Sequence, residues 1–70
     1  NNPDPKTAGR ACYNMAIYNE IEGDLENAIA WAQKSYEDYG TRLALQYTRI
    51  LQNRLNRIEQ ADRVENNGGE

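Results

Sequence analysis

The segment spanning residues 11–39 constrains the fold most, because apolar and small residues recur every three or four positions on both sides of a short polar turn. This spacing is typical of the buried face of an amphipathic helix. In the turn, Gly23 can adopt the left-handed conformation that ends a helix, and Asp24 can accept hydrogen bonds from the first amides of the next helix. We therefore predict an antiparallel hairpin of two helices. Its apolar positions are Ala11, Cys12, Met15 and Ala16 before the turn and Leu25, Ala28, Ile29, Ala32 and Tyr36 after it.

The first predicted helix covers residues 5–22, and we expect residues 1–4 to be frayed. Asp4 followed by Pro5 is a favourable start, because aspartate caps a helix and proline at the first helical position loses no hydrogen bond. Asn19 lies on the predicted core face, so we expect its buried amide to bond a backbone group near the turn. That core face comprises Ala8, Ala11, Cys12, Met15, Ala16 and Asn19.

The second predicted helix covers residues 25–39 and ends at Gly40, with Thr41 as the cap of the next helix. Trp31 lies at the edge of its apolar face. We expect Trp31 to be a boundary residue covering the core, and the alternative is a secondary anchor for a partner, because tryptophan is enriched in binding hot spots. The apolar face comprises Leu25, Ala28, Ile29, Ala32, Ser35, Tyr36 and Tyr39.

The third predicted helix covers residues 42–62, and residues 63–70 read as a disordered tail. Arg54 falls within its apolar stripe, so we expect the guanidinium either to reach solvent at the edge or to pair with an acid of the hairpin. Leu45 points away from the stripe and is predicted to be exposed. The fold class is therefore all-α, with one three-helix domain over residues 5–62. The predicted packing stripe comprises Leu43, Tyr47, Ile50, Leu51, Leu55, Ile58 and Ala61.

Charge is distributed unevenly along the chain, whose net charge is −3. Residues 1–40 carry three basic and seven acidic residues, whereas residues 42–57 carry four arginines and no acid. We interpret this complementarity as attraction within the molecule. Nucleic-acid binding through Arg42, Arg49 and Arg57 is a weaker alternative, because the pI of about 4.8 opposes contact with a phosphate backbone. We predict no nucleic-acid partner.

The residues that enzymes need for nucleophilic catalysis are missing. The chain has no histidine, and its only cysteine, Cys12, falls on the predicted core face, where a small buried thiol is expected. The acids Glu20, Glu22, Asp24 and Glu26 read as a solvated turn, because they lack the spacing of a calcium loop. We therefore predict a non-enzyme without cofactor or metal. No apolar run is long enough to contact a membrane as a span, so we expect no membrane contact by this segment.

The first predicted helix carries a second apolar stripe, formed by Tyr13, Ile17 and Ile21 at spacings of four residues. A helix that packs within an isolated hairpin needs only one such stripe, and additional apolar surface marks an interface. Two interpretations remain open. The stripe packs on the third helix or on an upstream part of the same polypeptide, or it binds another protein.

Residues 9–40 resemble a tetratricopeptide repeat, a helix-turn-helix unit of about 34 residues that works in arrays. Gly23 corresponds to the turn glycine, Met15 and Ala16 to the large and small pair of the first helix, and Ala28 to the small residue of the second. Ala32 and Ser35 match later core positions. The resemblance implies a right-handed solenoid fragment, with the third helix as a terminal cap. It also implies a partner-facing surface at Arg10, Tyr13, Ile17, Glu20 and Ile21.

The same run is similar to the C-terminal repeat of uncharacterised, lipid-anchored proteins of Bacteroides-like bacteria, which implies a cell-envelope location. The chain begins with Asn1 and not methionine, so we expect it to be a piece of a longer protein. We predict a non-catalytic protein-interaction or scaffolding module at the C-terminal end of that protein. The alternative is a structural cap that completes the solenoid of its parent and binds no external ligand.

Overall fold

The computed structural model describes residues 4–68 and the side chains of residues 4–62. It consists of three helices, α1 (Pro5–Ile21), α2 (Leu25–Tyr39) and α3 (Arg42–Gly68). No strand occurs among these residues. The predicted all-α fold is confirmed.

The start of α1 is the one the sequence predicts. The side chain of Asp4 accepts a hydrogen bond of 2.8 Å from the backbone amide of Thr7, and Pro5 occupies the first turn. Asp4 is therefore part of a helix cap and not a frayed residue, because its carboxylate satisfies an amide that has no partner within the helix. Residues 1–3 of the predicted frayed segment lie outside the described residues.

Local signals also set the turns. Gly23 has a φ of 86°, and the carboxylate of Asp24 accepts from the amide of Asn27 at 3.2 Å. Gly40 has a φ of 71°, and the amides around it bond back to the last turn of α2, with Thr41 N 3.1 Å from the carbonyl of Ser35. These hydrogen bonds back to the last turn satisfy carbonyls that have no partner within the helix. They require a residue in the left-handed conformation, which favours glycine.

The third helix is longer than predicted. Its backbone is helical through Gly68, where the sequence pattern predicted an end at residue 62 and a disordered tail from residue 63. Neither proline nor glycine occurs between Arg42 and Asn67, and residues 59–65 include glutamate, glutamine, alanine and arginine, which favour helices. The loss of apolar periodicity after Ala61 therefore does not mark the end of the helix. Residues 69 and 70 of the predicted tail lie outside the described part of the chain.

The contact between α1 and α2 depends on small residues. Ala16, Ala28 and Ala32 are completely buried, so the two backbones approach closely. The buried hydroxyl of Ser35 donates a hydrogen bond of 2.6 Å to the carbonyl of Gly9, which joins the C-terminal half of α2 to the N-terminal half of α1. Cys12 is a free, buried thiol in this interface, as predicted.

The third helix packs on α2 around Leu51, which is completely buried. Leu51 forms a cluster with Ala28 and Ile29 of α2, and three half-buried side chains surround that cluster. These are Leu25, Tyr47 and Leu55. The hydrophobic core therefore lies between α2 and the first half of α3.

Two predicted core faces are partly wrong. In α1, Ala11 is exposed and Met15 is 39% exposed. In α3, Leu43 and Ile50 are 64% and 54% exposed, and Ile58 and Ala61 are also exposed. The side of α3 that packs on α2 comprises Ala44, Thr48, Leu51 and Leu55.

The wrong prediction of the α3 packing face has a geometric cause. At about 100° per residue, Ala44 and Thr48 lie to one side of the predicted stripe, and both are short enough to let α3 approach α2 closely. The hydroxyl of Thr48 is satisfied by the carbonyl of Ala44 at 2.7 Å, so its burial leaves no polar group unpaired. Leu45, predicted to be exposed, is half-buried.

Candidate interaction surface

The strongest polar contact between α1 and α3 converges on Glu20. Its carboxylate accepts one hydrogen bond from the hydroxyl of Tyr47 and another from the guanidinium of Arg54. Arg54 also forms a salt bridge with Glu20. The sequence left two outcomes open for Arg54, and the structure shows pairing with an acid of the hairpin, with the side chain still 50% exposed.

This cluster shifts the pKa values of two of its members. The hydrogen bond from Tyr47 lowers the pKa of Glu20 below its ordinary value of 4.5, and the hydrogen bond and positive charge of Arg54 lower it further. Burial raises the pKa of Tyr47, and the hydrogen bond to Glu20 raises it again. Glu20 is therefore ionised and Tyr47 protonated at neutral pH, which is the arrangement that the two hydrogen bonds require.

An aromatic contact adjoins this cluster, because Tyr47 belongs to both. The rings of Tyr13 and Tyr47 meet edge to face, with centroids 5.4 Å apart and an interplanar angle of 63°. Tyr13 and Tyr47 are 34 residues apart in sequence, which is also the separation between Glu20 and Arg54. Two contacts at one constant offset mean that α1 and α3 run parallel and side by side.

The five predicted partner-facing residues of α1 have different environments. Tyr13 and Glu20 contact α3, and Ile17 is half-buried. Arg10 is exposed, and Ile21 is 76% exposed. The predicted surface therefore has two parts. Tyr13 and Glu20 are internal and position α3, whereas Arg10 and Ile21 are external and lie on the same side of α1. Trp31, the candidate secondary anchor, is half-buried in α2.

A cleft of about 820 Å³ opens where the N-terminal part of α1, the C-terminal end of α2 and the N-terminal end of α3 meet. Its walls combine aromatic and aliphatic side chains with basic ones, and six residues define its character. These are Lys6, Arg10 and Tyr13 from α1, Tyr39 from α2, and Arg42 and Leu43 from α3.

Sequence reasoning found Arg10 and Tyr13 but missed Lys6, Tyr39 and Arg42 as neighbours of one cleft. These residues come from three separate helix ends, and no spacing along the chain brings them together. The available signal was Leu43, an apolar residue in the first turn of α3, three residues after the glycine that ends α2. The position of Leu43 shows that α3 begins beside the end of α2. Only the angle at which the helices pack brings these two helix ends against α1.

Exposed apolar residues continue from this cleft along α3. Leu43 and Ile50 lie on the same side of α3 as Tyr47, given the helical period of about 3.6 residues. A smaller hollow of about 200 Å³ follows at Ile50 and Arg54, lined also by Asn53 and Arg57. We call the surface between these two helices, which includes both hollows, the α1–α3 groove. It comprises Arg10, Ile17 and Ile21 of α1 and Leu43 and Ile50 of α3, with Tyr13 and Tyr47 between them.

Other kinds of site are not formed by the described side chains. No group of three or more histidine, cysteine, aspartate or glutamate residues within 4–62 is arranged to hold a metal ion. None of the helices, over their described lengths, is long and apolar enough to cross a membrane.

Comparison with known proteins identifies a family. The profile of a family described as a domain of unknown function, DUF6340, matches residues 1–53. The chain belongs to this family. No curated protein matches the chain, and no solved structure matches it.

The DUF6340 match covers α1, α2 and the N-terminal part of α3. It therefore includes every residue that lines the large cleft and both tyrosines of the aromatic contact. The match ends one residue before Arg54. Because the family description states no activity, the function has to be argued from the surface that these helices form.

Proposed function

We propose that this chain is a non-catalytic protein-interaction module that binds its partner in the α1–α3 groove. The observation that carries the proposal is the exposure of Ile21, Leu43 and Ile50 around one groove. Exposed apolar side chains cost free energy in water, and several on one side of a molecule are typical of protein interfaces. The tyrosines between them add rigid aromatic contact area, which interfaces favour.

The constant offset of 34 residues between α1 and α3 supports a tetratricopeptide-like arrangement. It equals the length of that repeat, so α3 occupies the place that the first helix of a following repeat would take. In such arrays the first helices line the inner, ligand-facing surface. The α1–α3 groove is then the inner surface of a solenoid at the C-terminal end of a larger protein.

The alternative function is a purely structural cap. The contacts of Tyr13 and Glu20 with α3 favour it, because they use part of the predicted partner surface within the domain. A terminal cap, however, normally presents a polar outer face. Leu43, Ile50 and Ile58 are exposed on the flank of α3 that carries Tyr47, and this apolar surface leads us to favour a module that binds a partner.

Two further parts of the proposal depend on other observations. Nucleic acid is not a proposed partner, because the net charge is −3 and acids flank the arginines of α3. A cell-envelope location follows solely from the resemblance to lipid-anchored proteins.

Site-specific photo-crosslinking in the full-length parent protein, in its own cells, tests the proposal. A photoreactive residue replaces Ile50 in the groove, and a matched control replaces Lys34, an exposed residue of α2 paired with Asp38. We expect an adduct with a different protein at position 50 and none at position 34. Adducts confined to the parent chain support the structural cap, and no adduct at position 50 contradicts both functions.

A further inference from the structure

We infer that the large cleft binds an acidic segment of a partner protein through an aliphatic anchor residue flanked by aspartate or glutamate. This inference rests on the proposed function and specifies the chemistry of the partner. It concerns the end of the α1–α3 groove where Lys6, Arg10 and Arg42 surround Tyr13, Tyr39 and Leu43.

The charges of the cleft are unbalanced. Three basic residues line it, and Asp4 is its single acid. The carboxylate of Asp4 already accepts the amide of Thr7 as the cap of α1, so it is committed to the helix. Within the described side chains, none of the three basic residues forms a salt bridge. The cleft therefore presents positive charge that a bound acid can neutralise.

Two other cations of the molecule differ from these three, because each forms a salt bridge. Arg54 is paired with Glu20, and Lys34 is paired with Asp38 at 3.3 Å on the other side of the molecule. Of the five cations that form no salt bridge among the described side chains, Lys6, Arg10 and Arg42 line this one cleft, whereas Arg49 and Arg57 lie elsewhere on α3. Opposite charges at a rim steer association and fix the orientation of a partner more than they add affinity.

The apolar walls supply the anchor site. Leu43 is 64% exposed, and the rings of Tyr13 and Tyr39 are each half-buried, so an aliphatic side chain placed between them removes apolar surface from water on both sides. The volume of about 820 Å³ lies within the range of protein ligand sites, roughly 300 to 1,000 Å³, and accommodates several side chains. Acid residues next to the anchor then reach the basic rim.

A second copy of this chain is the competing occupant. Its acidic turn holds Glu22, Asp24 and Glu26 beside the exposed Ile21, which is the same combination of acids with an aliphatic residue. Such a contact joins opposite ends of two molecules, so it produces open chains or rings and not a closed pair. Sedimentation of the chain alone distinguishes this occupant from a foreign protein.

The test uses the 70-residue chain and a positional-scanning library of end-blocked peptides, in which one fixed leucine is surrounded by varied positions. Blocked ends remove terminal carboxylates, so that any selection for acid reports side chains. We expect aspartate and glutamate to be enriched beside the leucine. Binding of the selected peptide should weaken as salt is raised, because exposed charges are screened.

Variants then locate the binding site. The double substitution Arg10→Glu with Arg42→Glu should lower the affinity for the selected peptide by at least about tenfold, because the acidic peptide then faces acidic side chains. Arg49→Glu is the matched control, since Arg49 is an exposed arginine of α3 that lines none of the clefts described. Circular dichroism verifies that all variants retain their helices.

The outcomes separate the inference from the proposed function. Selection of neutral or basic peptides that Leu43→Asp abolishes would overturn the acidic partner but retain a groove that binds protein. An equal loss with Arg49→Glu would show that acid binding is not located in this cleft and would overturn the inference. Self-association that Arg10→Glu abolishes would assign the cleft to a second copy and overturn it too. Failure to select any peptide would count against both the inference and the proposed function.

Discussion

At the residue scale, Glu20 joins α1 to α3 through a single carboxylate. Its two donors, Tyr47 and Arg54, lie almost two turns apart on α3, so they fix both the rotation and the axial position of that helix. The sequence predicted that Arg54, a guanidinium within an apolar stripe, either reaches solvent at the edge or pairs with an acid of the hairpin. It did not identify Glu20, since seven acids of the hairpin were available and the crossing of α3 over α2 decides among them.

Glu20→Gln should reduce stability in a pH-dependent manner. The pKa of Glu20 is lowered in the folded chain, so its ionisation stabilises the fold above the ordinary value of 4.5, and this stabilisation is lost as the pH falls through the folded pKa. We expect the variant to be less stable than the parent chain by about 1 kcal/mol at pH 7, because the carboxylate is partly exposed. Urea unfolding followed by circular dichroism at pH 7 and pH 3 measures the difference.

The difference should shrink as the pH is lowered from 7 to 3, because the stabilisation from an ionised Glu20 is lost as the pH falls through its lowered pKa. Glu22→Gln is the control, because Glu22 is exposed and its side chain forms no hydrogen bond with the described residues, so no such pH dependence is expected. A deficit of equal size at both pH values would show that the charge of Glu20 does not hold α3.

Gly9→Ala should destabilise the chain although it increases helix propensity. A β-carbon at Gly9 would lie 3.0 Å from the β-carbon of Tyr39 and would collide with the hydroxyl of Thr41. Moving these groups costs about 1 to 3 kcal/mol, which exceeds the gain of about 1 kcal/mol from alanine in a helix. We expect a lower midpoint in thermal unfolding.

Asn14→Ala is the comparison, because Asn14 is an exposed residue of the same helix. That substitution should stabilise by a few tenths of a kcal/mol through helix propensity alone. If Gly9→Ala also stabilises the chain, α1 does not pass as closely over the connection between α2 and α3 as the structure indicates.

At the element scale, the helix ends that carry capping residues were predictable, whereas the C-terminal end and the packed face of α3 were not. Asp4, Gly23 and Gly40 act through their own backbone and nearest amides, so their effect can be read from a few neighbouring residues. The face of α3 depends on which of two adjoining stripes meets α2. Only the close fit of Ala44 and Thr48 against that helix selects it, and a larger apolar stripe beside it misled the prediction.

Leu51→Ala and Leu43→Ala test this choice of face. Leu51 is completely buried between α2 and α3, so its truncation should cost about 2 to 4 kcal/mol, of the order of the whole stability of a small domain. Leu43 is 64% exposed, so its truncation should change the free energy of unfolding by less than about 0.5 kcal/mol. Chemical unfolding of both variants measures the two values. Equal costs would mean that α3 packs through the originally predicted stripe.

At the scale of the whole molecule, α1 and α3 form one surface because they lie parallel at a constant sequence offset. The sequence showed a redundant apolar stripe on α1 and predicted an interface there. It left open whether the third helix or another molecule covers that stripe, and the structure shows that each half of the stripe has a different role. Tyr13 and Glu20 hold α3, whereas Arg10 and Ile21 remain at the border of the groove.

The parallel arrangement of α1 and α3 underlies the groove, the proposed function and the acidic-partner inference. The most direct test is an assigned nuclear Overhauser spectrum of the 70-residue chain with labelled tyrosine rings. With ring centroids 5.4 Å apart, Tyr13 and Tyr47 should give strong cross-peaks between their ring protons. If these cross-peaks are missing while Leu51 still shows contacts with Ile29, α3 packs on α2 without lying beside α1, and the α1–α3 groove does not exist.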